Sequence, residues 1–492
     1  MAYDLLIIGG GINGAAIARD AAGRGWKTLL VERDDLASHT SSASSKLIHG
    51  GLRYLEYYEF GLVRKALRER EVMLAAAPHL IKPMRFVMPH DNSVRPYWMI
   101  RAGLLLYDLI GGRRSLKGTR RLGRANPRYR SPLANPSVKG LVYSDCWVDD
   151  ARLVVANARD AADKSAEIAT RTEFLSAERT GPLWIAELGD GRTVEARALV
   201  NAAGPWVGEV LGDRLGLTSK AHVRLVRGSH IIVPQLYGGD HAYILQLPDR
   251  RVVFAMPYLD RFTLIGTTDV AVDTPEDAIT YSDEIDYLCR AVNHFFAAQI
   301  SPQDVLSHYA GVRSLYDDGA ADSMEVTREY VLEIDGGADA GQPPLLSVFG
   351  GKITTARALA EDANDRLALA APLSGAAWTH DAKLPGGDIG RDFDAFAARV
   401  EERWPFLDWE TAPRMAHAYG SRIEDVLGDA TSLADLGEDF GAGLSEREVE
   451  YLVAHEWARD AGDILWRRSK IGLLSDEPDQ ARLAAWFERR KA

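Results

Sequence analysis

The sequence predicts a mixed α/β (α+β) fold: an N-terminal Rossmann-like nucleotide-binding domain interleaved with an antiparallel-sheet substrate domain, plus a C-terminal α-helical domain. Three observations predict it. Residues 4–32 have the pattern of a strand, a glycine turn, a helix and a second strand. Alternating apolar runs at residues 223–234, 251–257 and 261–266 are typical of antiparallel strands. After Leu384, helical patterns rich in alanine and charge replace the strand patterns.

The glycine turn predicts the cofactor. Gly9, Gly11 and Gly14 have the G-x-G-x-x-G spacing, which permits a tight turn, a close approach of backbone to a pyrophosphate and close packing of helix on sheet. The N-terminus of the following helix offers free N–H groups and a positive dipole end to phosphate. Glu32 ends the second strand, where a carboxylate can bind an adenosine ribose. The fingerprint lies at the N-terminus without a second copy downstream, which favours FAD over NAD.

Composition excludes several classes of protein. The chain of 492 residues is long enough for two or more domains, and its 46% hydrophobic and 26% charged residues are typical of a soluble enzyme. The net charge of −12 argues against a general nucleic-acid binder. Cys146 and Cys289 are too few for a disulfide framework or a metal cluster, so we expect no metal site. The first apolar run is broken by the glycine turn, and no run reaches the roughly 18–20 residues of a membrane span, so we expect neither a signal peptide nor a transmembrane helix.

A polar loop follows the second strand. Residues 40–46 are rich in hydroxyls and end at Lys46, so they could form a cradle for a pyrophosphate or a flavin edge. The alternative is an ordinary polar surface loop. The continuation favours the cradle, because Gly50 and Gly51 let the backbone pass close to a flat group and His49 stands beside them.

Several long motifs carry a family resemblance. In chain order they are SSASSKLIHGGLRYLE, REREVMLAAAPHL, YSDCWVDDARLVVANA, ALVNAAGPWV, RLVRGSHIIVP, IGTTD, LLSVFGGKITT and HEWARDAGDILWRRSKIG. Together they closely resemble the motifs of the flavin-linked, quinone-reducing glycerol-3-phosphate dehydrogenases. The resemblance covers essentially the whole chain and is far more specific than the glycine fingerprint.

The resemblance implies an enzyme that oxidises sn-glycerol 3-phosphate to dihydroxyacetone phosphate. Hydride would pass from C2 of the substrate to N5 of FAD, and the electrons to a membrane quinone. The implied partners are glycerol 3-phosphate, the quinone and a membrane surface, with no nucleic acid, and a homodimer is left open. The implied location is cytoplasmic and peripheral, at the inner face of the cell membrane.

The expected domain boundaries follow from the motifs and from the change in texture near Leu384. The oxidoreductase region is residues 1–384, with FAD-binding segments of roughly 1–80, 140–220 and 340–370 and substrate-domain segments of roughly 81–139 and 221–339. The C-terminal helical domain is residues 385–492.

The candidate site residues combine residue chemistry with the resemblance. A phosphorylated alcohol needs cations for its phosphate, which arginine binds bidentately and lysine as a point charge. The expected catalytic residues are His230, Arg313 and Lys352, and the expected substrate-binding residues are Arg53, Tyr54, His49, Thr268, Asp269 and Arg328. The expected cofactor-binding residues are Gly9, Gly11, Ile12, Asn13, Gly14, Glu32, Thr40, Ser41, Ser42, Ser45, Lys46, Leu47, His49, Gly50, Gly51, Ala202, Gly204, Trp206, Gly351, Lys352, Ile353 and Thr354.

The base that deprotonates the substrate is left open between His230 and His49, since either ring can titrate near neutral pH. His49 could instead contact the flavin or, as in some related amine oxidases, anchor it covalently. One residue departs from the family pattern: Ser314 follows Arg313 where proline is usual, which leaves the loop of that arginine freer.

Three other functions remain as alternatives. They are a glycerol-3-phosphate oxidase that uses O2, an FAD amine oxidase of the same broader fold, and a non-catalytic flavin-bound regulator. The cluster of cations argues against amine oxidation. A regulator would be expected to have lost some of the cationic and histidine positions, and none of the main ones is missing from the sequence.

A quinone lives in the bilayer, so an enzyme without a transmembrane helix must dock on the lipid surface. Residues 96–110 are largely apolar and aromatic, and no acid occurs from Leu109 to Ser144. The basic residues that follow the apolar segment are Arg113, Arg114, Lys117, Arg120, Arg121, Arg124, Arg128 and Arg130. This pattern indicates an interfacial anchor to anionic lipid. The alternative is a core or subunit-interface helix followed by a solvated basic loop.

Overall fold

The structure is a computed structural model that describes residues 2–90, 95–112, 115–123, 126–219, 221–317 and 329–491. Its strands are β1 (Tyr3–Ile8), β2 (Thr28–Glu32), β3 (Leu47–Ile48), β4 (Ile81–His90), β5 (Arg120–Arg121), β6 (Lys139–Val148), β7 (Glu167–Thr170), β8 (Phe174–Thr180), β9 (Leu183–Leu188), β10 (Thr193–Asn201), β11 (Val223–Pro234), β12 (Ala242–Gln246), β13 (Val252–Tyr258), β14 (Phe262–Gly266), β15 (Val270–Val272), β16 (Ser307–Tyr316), β17 (Val331–Gly337) and β18 (Gln342–Phe349). Its α-helices are α1 (Ile12–Gly23), α2 (Phe60–Ala76), α3 (Tyr97–Ile110), α4 (Pro127–Arg130), α5 (Asp150–Asp163), α6 (Val207–Glu209), α7 (Ser282–Phe295), α8 (Ala356–Ala370), α9 (Phe393–Arg403), α10 (Thr411–Tyr419), α11 (Ile423–Leu427), α12 (Glu446–Glu456) and α13 (Glu477–Lys491).

The first sheet has the strand order β17-β18-β10-β1-β2-β7, with the β8–β9 hairpin attached to β10. Five neighbouring strands, β18, β10, β1, β2 and β7, run parallel, and β17 pairs antiparallel with β18. Both faces of β1 are buried: Leu5 and Ile7 join the core under α1, α5 and α8, while Leu6 and Ile8 join the core on the opposite face. A parallel sheet covered on both faces explains the near-continuous apolar run of this strand and confirms the Rossmann-like unit.

The second sheet is mostly antiparallel and has the order β15-β11-β14-β13-β12-β4-β6-β3, with β16 paired to β11 and β5 to β6. The strands predicted at residues 223–234, 251–257 and 261–266 form β11, β13 and β14 at its centre. One face packs on α7 through a buried aromatic and aliphatic core. The two sheets are built from alternating segments of the chain, which confirms the interleaved α/β fold class.

Strands β6 and β17 lie in a different sheet from the one expected from the segment boundaries. β6 belongs to the second sheet, where it pairs with β4 from Lys139 to Val148, although the expected cofactor segment began at residue 140. β17 belongs to the first sheet as the antiparallel partner of β18, although the expected substrate segment ran to residue 339. Side-chain alternation predicts a strand but not the partner to which it pairs, so these positions depend on the tertiary structure.

The C-terminal region is helical, as the sequence predicts, and α9–α13 enclose a core of their own. Helices α10 and α11 are separated at Gly420, whose φ of 54° interrupts the helical path. Buried ion pairs hold the region to the loop after β2 and to the start of α5. Arg468 donates to Asp35 at 2.7 Å, and Lys470 donates to Asp150 at 2.7 Å. Among the described helices, none has both the length and the apolar content of a membrane span.

Candidate active site

A cavity of about 1100 Å³ runs from the glycine turn after β1 to the face of the second sheet. Both sheets contribute to its wall. Most of the sequence-predicted site residues line it, namely Gly9, Gly11, Ile12, Asn13, Glu32, Thr40, Ser41, Ser45, Leu47, His49, Gly51, Tyr54, Ala202, Gly204, Trp206, His230, Thr268, Asp269, Arg313, Gly351, Lys352, Ile353 and Thr354. The structure therefore brings together residues that are more than 300 positions apart in the chain.

The end of the cavity at β1 has the features of a dinucleotide cradle. Gly9 has a φ of 107°, and a Cβ there would lie 2.7 Å from the carbonyl oxygen of Ala202, so only glycine fits. The N–H of Ile12, at the N-terminus of α1, donates to Ser41 Oγ at 3.0 Å. The polar loop thus closes over the helix N-terminus, where phosphate binds favourably.

Glu32 lies beside this turn and lines the cavity. Its carboxylate accepts hydrogen bonds from the N–H of Gly10 at 2.6 Å and the N–H of Asp34 at 2.9 Å. Burial raises the pKa of Glu32, while these two backbone donors oppose the rise. Each carboxylate oxygen can accept a second bond, so the residue suits ribose hydroxyls. Together with the glycine turn, it fits the adenosine half of FAD.

The opposite part of the cavity has room for a flat ring. Gly350 and Gly351 follow β18 with φ values of 76° and 102°, which favour glycine. Because glycine has no side chain, none projects from this part of the cavity wall. Facing them, the N–H of His49 donates to Thr354 Oγ1 at 3.3 Å, and His49 Nδ1 accepts from the N–H of Gly51 at 3.2 Å. Burial, with the charge of Lys352, lowers the pKa of His49 to about 4, so this ring is neutral near pH 7.

Lys352 follows this glycine pair and reaches the 3₁₀ helix Leu52–Tyr57. Its Nζ lies 3.8 Å from the centre of the Tyr54 ring, which is cation–π geometry. The ring holds the ammonium group at the wall of the cavity. A lysine in this position can act as a point charge toward an anionic substrate.

Arg313 enters the cavity from the second sheet. It lies in β16 opposite Val226 of β11, and its Nη2 donates to the carbonyl oxygen of Thr268 at 3.0 Å. The guanidinium crosses above Gly228, where a Cβ would lie 2.4 Å from Nη2. Arg313 is therefore held between a glycine of one strand and the turn that follows β14.

His230 occupies the centre of the second sheet, in β11 between Tyr309 and Gly266. Its ring stacks on Tyr309 at 4.8 Å, and Nε2 lies 2.9 Å from Ser45 Oγ. Burial lowers its pKa to about 3, with further lowering by the charges of Lys46 and Arg313. Nδ1 is buried without a hydrogen-bond partner within the described part of the chain. The ring is thus neutral near pH 7.

Some predicted site residues do not line this cavity. Gly14 and Gly50 lie behind the wall, where a Cβ would collide with the Gly9 carbonyl and with Leu67. Ser42 and Lys46 line a second cavity on the other side of the polar loop. The side chain of Arg53 and all of Arg328 lie outside the described residues, so their predicted roles stay predictions.

Lys46 is turned away because it has a stronger electrostatic partner elsewhere. Its backbone has a φ of 55°, and its Nζ bonds to both carboxylate oxygens of Asp150 at 2.9 Å. Asp150 begins α5, so the loop and the helix are joined by a buried ion pair. In this structure the Lys46 ammonium supports the loop from behind and does not face the cavity.

Sequence reasoning missed Gly228, Thr267 and Glu284. Gly228 and Thr267 line the cavity and lie within the motifs RLVRGSHIIVP and IGTTD, which could have indicated them. Glu284 lies in α7, buried, and accepts from Thr268 Oγ1 at 2.6 Å and from Ser229 Oγ at 3.0 Å. A glutamate in the first turn of an amphipathic helix is usually solvated, so no local signal points to it.

Comparison with known proteins agrees with this arrangement. Residues 4–363 match the family model of FAD-dependent oxidoreductases, and residues 377–485 match the C-terminal domain of alpha-glycerophosphate oxidase. The chain is 52% identical to a glycerol-3-phosphate dehydrogenase of Pseudomonas aeruginosa, across 99% of this chain and 95% of that protein. It is 51% identical to a D-erythritol 1-phosphate dehydrogenase of Brucella abortus, across 99% and 97%.

Among solved structures, the glycerol-3-phosphate dehydrogenase of Bacillus halodurans complexed with FAD is similar, with a TM-score of 0.74 and 26% identity over 99% of this chain and 94% of that one. The fold and the site define an FAD-dependent oxidoreductase. Within that class, the chain belongs to the FAD-dependent glycerol-3-phosphate dehydrogenase family.

Proposed function

We propose that this enzyme oxidises sn-glycerol 3-phosphate to dihydroxyacetone phosphate and passes the electrons to a membrane quinone. The observation that carries the proposal is the convergence of Arg313, Lys352 and His230 on one cavity with the glycine-lined cradle. Two cations and a neutral histidine are what the oxidation of a phosphorylated secondary alcohol requires. Relatives that are 52% and 49% identical to this chain are named glycerol-3-phosphate dehydrogenases.

Arg313 and Lys352 would bind the substrate phosphate, the first through its guanidinium fork and the second as a point charge. Each comes from a different sheet, so the phosphate would be held from two sides. Tyr54 and the Thr268–Asp269 turn would orient the glycerol end, since they lie beside these cations. Arg53 and Arg328 remain proposed as further substrate ligands on the strength of the family motif.

His230 would accept the proton of the C2 hydroxyl. Its buried ring is neutral, Tyr309 and Ser45 fix its plane, and Nδ1 has no competing partner among the described residues. His49 is the second candidate, but its Nδ1 already accepts a hydrogen bond from Gly51. When bound, FAD supplies the acceptor for the hydride from C2, at its N5 atom.

A four-carbon substrate is a second candidate. The relative named for D-erythritol 1-phosphate is as similar to this chain as the relatives named for glycerol 3-phosphate. Both substrates are polyol phosphates, so the same cations and the same base would serve either one. The four-carbon substrate needs more space in the cavity beyond the oxidised carbon than the three-carbon substrate does. Measured turnover of both compounds distinguishes the two reactions.

For the acceptor, we propose a quinone reached from the membrane surface at the inner face of the cell membrane. α3 exposes Trp98, Met99, Leu105, Leu106 and Leu109, and only Leu104 and Tyr107 are buried on this helix. Met99, Ile100 and Gly103 of the same helix line the main cavity. Exposed apolar side chains that continue into the cavity support a lipid contact next to the site.

The basic residues that follow α3 support the lipid contact unequally. Lys117, Arg120 and Arg121 are exposed, whereas Arg130 is buried and donates to backbone carbonyls, including that of Leu122 at 3.0 Å. Arg128 pairs with Asp240 at 2.7 Å. Arg113, Arg114 and Arg124 lie outside the described residues. The proposed contact with anionic lipid therefore rests on the three exposed cations.

The test is anaerobic reduction of the flavin. Addition of glycerol 3-phosphate to the purified holoenzyme should bleach the flavin absorbance, and D-erythritol 1-phosphate in a parallel cell decides between the two substrates. A soluble quinone analogue should then restore the colour faster than air does. No bleaching with either phosphate would refute the proposal, and faster recovery in air would indicate an oxidase.

A further inference from the structure

A second cavity, of about 380 Å³, lies behind the polar loop that closes the cofactor cradle. The residues shared by both cavities are Ser38, His39, Thr40, Ala43, Trp206 and Gly311. The loop therefore forms a wall between two separate spaces. The volume lies at the lower end of the range of ligand pockets, about 300–1,000 Å³. The function proposed above does not use this space.

The second cavity has a basic and hydroxyl-rich lining. Its charged lining residues are Lys46, Arg467 and Lys470, joined by His39 and His308, and none of the described lining residues is a carboxylate. The lining hydroxyl groups are those of Ser38, Thr40, Ser42, Tyr258, Ser307 and Tyr309. Those of Ser38, Thr40, Ser42 and Tyr309 already donate to backbone carbonyls, so the cations are the main donors toward the cavity. Cationic donors with no carboxylate on the cavity side are suited to an anion.

The acids that balance these cations stand behind them. Asp150 lies between Lys46 and Lys470, at 2.9 Å and 2.7 Å from their Nζ atoms, and it does not line the cavity. Arg467 binds Asp35 through Nε at 2.6 Å and Asp463 through Nη2. Its Nη1 is left without a hydrogen-bond partner among the described residues. The cations are thus fixed in place, and a donor remains for a ligand.

We propose that this cavity binds a small anion of the phosphate class, either free phosphate or a phosphate monoester. The cavity is far smaller than the one that fits FAD, and its donors suit a phosphate group better than a neutral ligand. Such a ligand would bridge the C-terminal segment, through Arg467 and Lys470, and the polar loop. Anion binding there would stabilise the loop that covers the cofactor. Cofactor binding would in turn strengthen anion binding, because linkage between two binding sites is reciprocal.

Calorimetric titration of the holoenzyme with inorganic phosphate tests this proposal. Ala278 is exposed at the edge of the second cavity, so a charge can be placed there without disturbing a core. Ala278→Glu should weaken phosphate binding by about tenfold through like-charge repulsion, while the matched control Ala278→Gln should leave it within about twofold. Both variants should keep the flavin spectrum and the turnover of wild type.

Lys352→Met distinguishes phosphate bound at the candidate active site from phosphate bound at the second cavity. This variant should keep phosphate binding at the second cavity. Binding that is lost in Lys352→Met and kept in Ala278→Glu would overturn the proposal, as would the absence of binding in wild type. Displacement of phosphate by glycerol 2-phosphate would identify a monoester as the ligand, and no displacement would identify free phosphate. Equal affinity in Ala278→Glu and Ala278→Gln would place the bound ion elsewhere and refute the site.

Discussion

The Glu284 carboxylate accepts a hydrogen bond of 2.6 Å from the Thr268 hydroxyl, and the Thr268 carbonyl accepts one of 3.0 Å from Arg313. A buried acid of α7 thus holds the turn that positions the arginine of the candidate site. Thr268 Oγ1 also accepts from the N–H of Ser229 at 2.8 Å. The turn is therefore tied to both the helix and strand β11.

The first prediction concerns this network. Glu284→Gln keeps the volume but removes the charge, and a hydrogen bond to a charged group contributes about 1.5–3 kcal/mol. We expect KM for the phosphorylated substrate to rise by about tenfold with a smaller change in kcat, because Arg313 loses its fixed position. Glu401→Gln, on an exposed residue of α9, is the control. An unchanged KM would show that the turn holds Arg313 without Glu284.

The second prediction concerns phosphate recognition. Arg313→Met and Lys352→Met should each lose about 2–4 kcal/mol of transition-state binding, from a charge-assisted contact in a desolvated site. Glycerol has no phosphate, so wild type and variants should use it equally poorly. The measurement is kcat/KM on both compounds. An equal loss of kcat/KM on glycerol and on glycerol 3-phosphate would mean that these cations do not bind the phosphate.

The third prediction concerns the cradle. Gly11 caps α1, and a Cβ there would already lie 3.1 Å from Ser41 Oγ, so Gly11→Val places branched atoms where the pyrophosphate would lie. The purified variant should contain little flavin. Gly208→Val is the control, because that glycine is exposed with no atom within 4 Å of the added Cβ. Stoichiometric flavin in Gly11→Val would refute the cofactor role of this turn.

The fourth prediction concerns the base. His230→Asn should lower the rate of flavin reduction by about 10²–10⁴-fold and leave substrate binding largely unchanged. Burial and nearby cations lower the pKa of His230 to about 3, so the free enzyme keeps a neutral ring as the pH falls below 6.5. In wild type at low substrate concentration, the rate of flavin reduction should therefore not fall with a midpoint near pH 6.5 as the pH is lowered. A normal rate in His230→Asn, with a slow His49→Asn, would move the role to His49.

The fifth prediction concerns the membrane. Leu106→Gln with Leu109→Gln removes two exposed leucines of α3, and each buried leucine contributes about 1.5–3 kcal/mol. The variant should float poorly with anionic vesicles and lose quinone turnover, yet keep turnover with a soluble dye. Leu369→Gln with Leu433→Gln is the matched control, since those side chains are 88% and 62% exposed elsewhere. Equal flotation of both variants would place the lipid contact elsewhere or nowhere.

The sequence determined the cofactor cradle and the family by itself. The G-x-G-x-x-G turn, Glu32 at the end of β2 and the glycine pair before Lys352 are local patterns, in which backbone conformation and spacing dictate the residue type. The motif RLVRGSHIIVP carried the candidate His230 in the same way. These features were predictable because their physical cause lies within a few residues of each position.

Only the tertiary structure decided the side-chain directions and the pairing of strands. Lys46 follows the hydroxyl-rich loop directly, yet its ammonium turns to Asp150, about 100 positions away, because a buried charge needs an opposite charge. Glu284 reaches the site through Thr268, and β6 joins the second sheet by pairing with β4. Such choices depend on which partners the folded chain brings near, and residue spacing along the sequence does not contain that information.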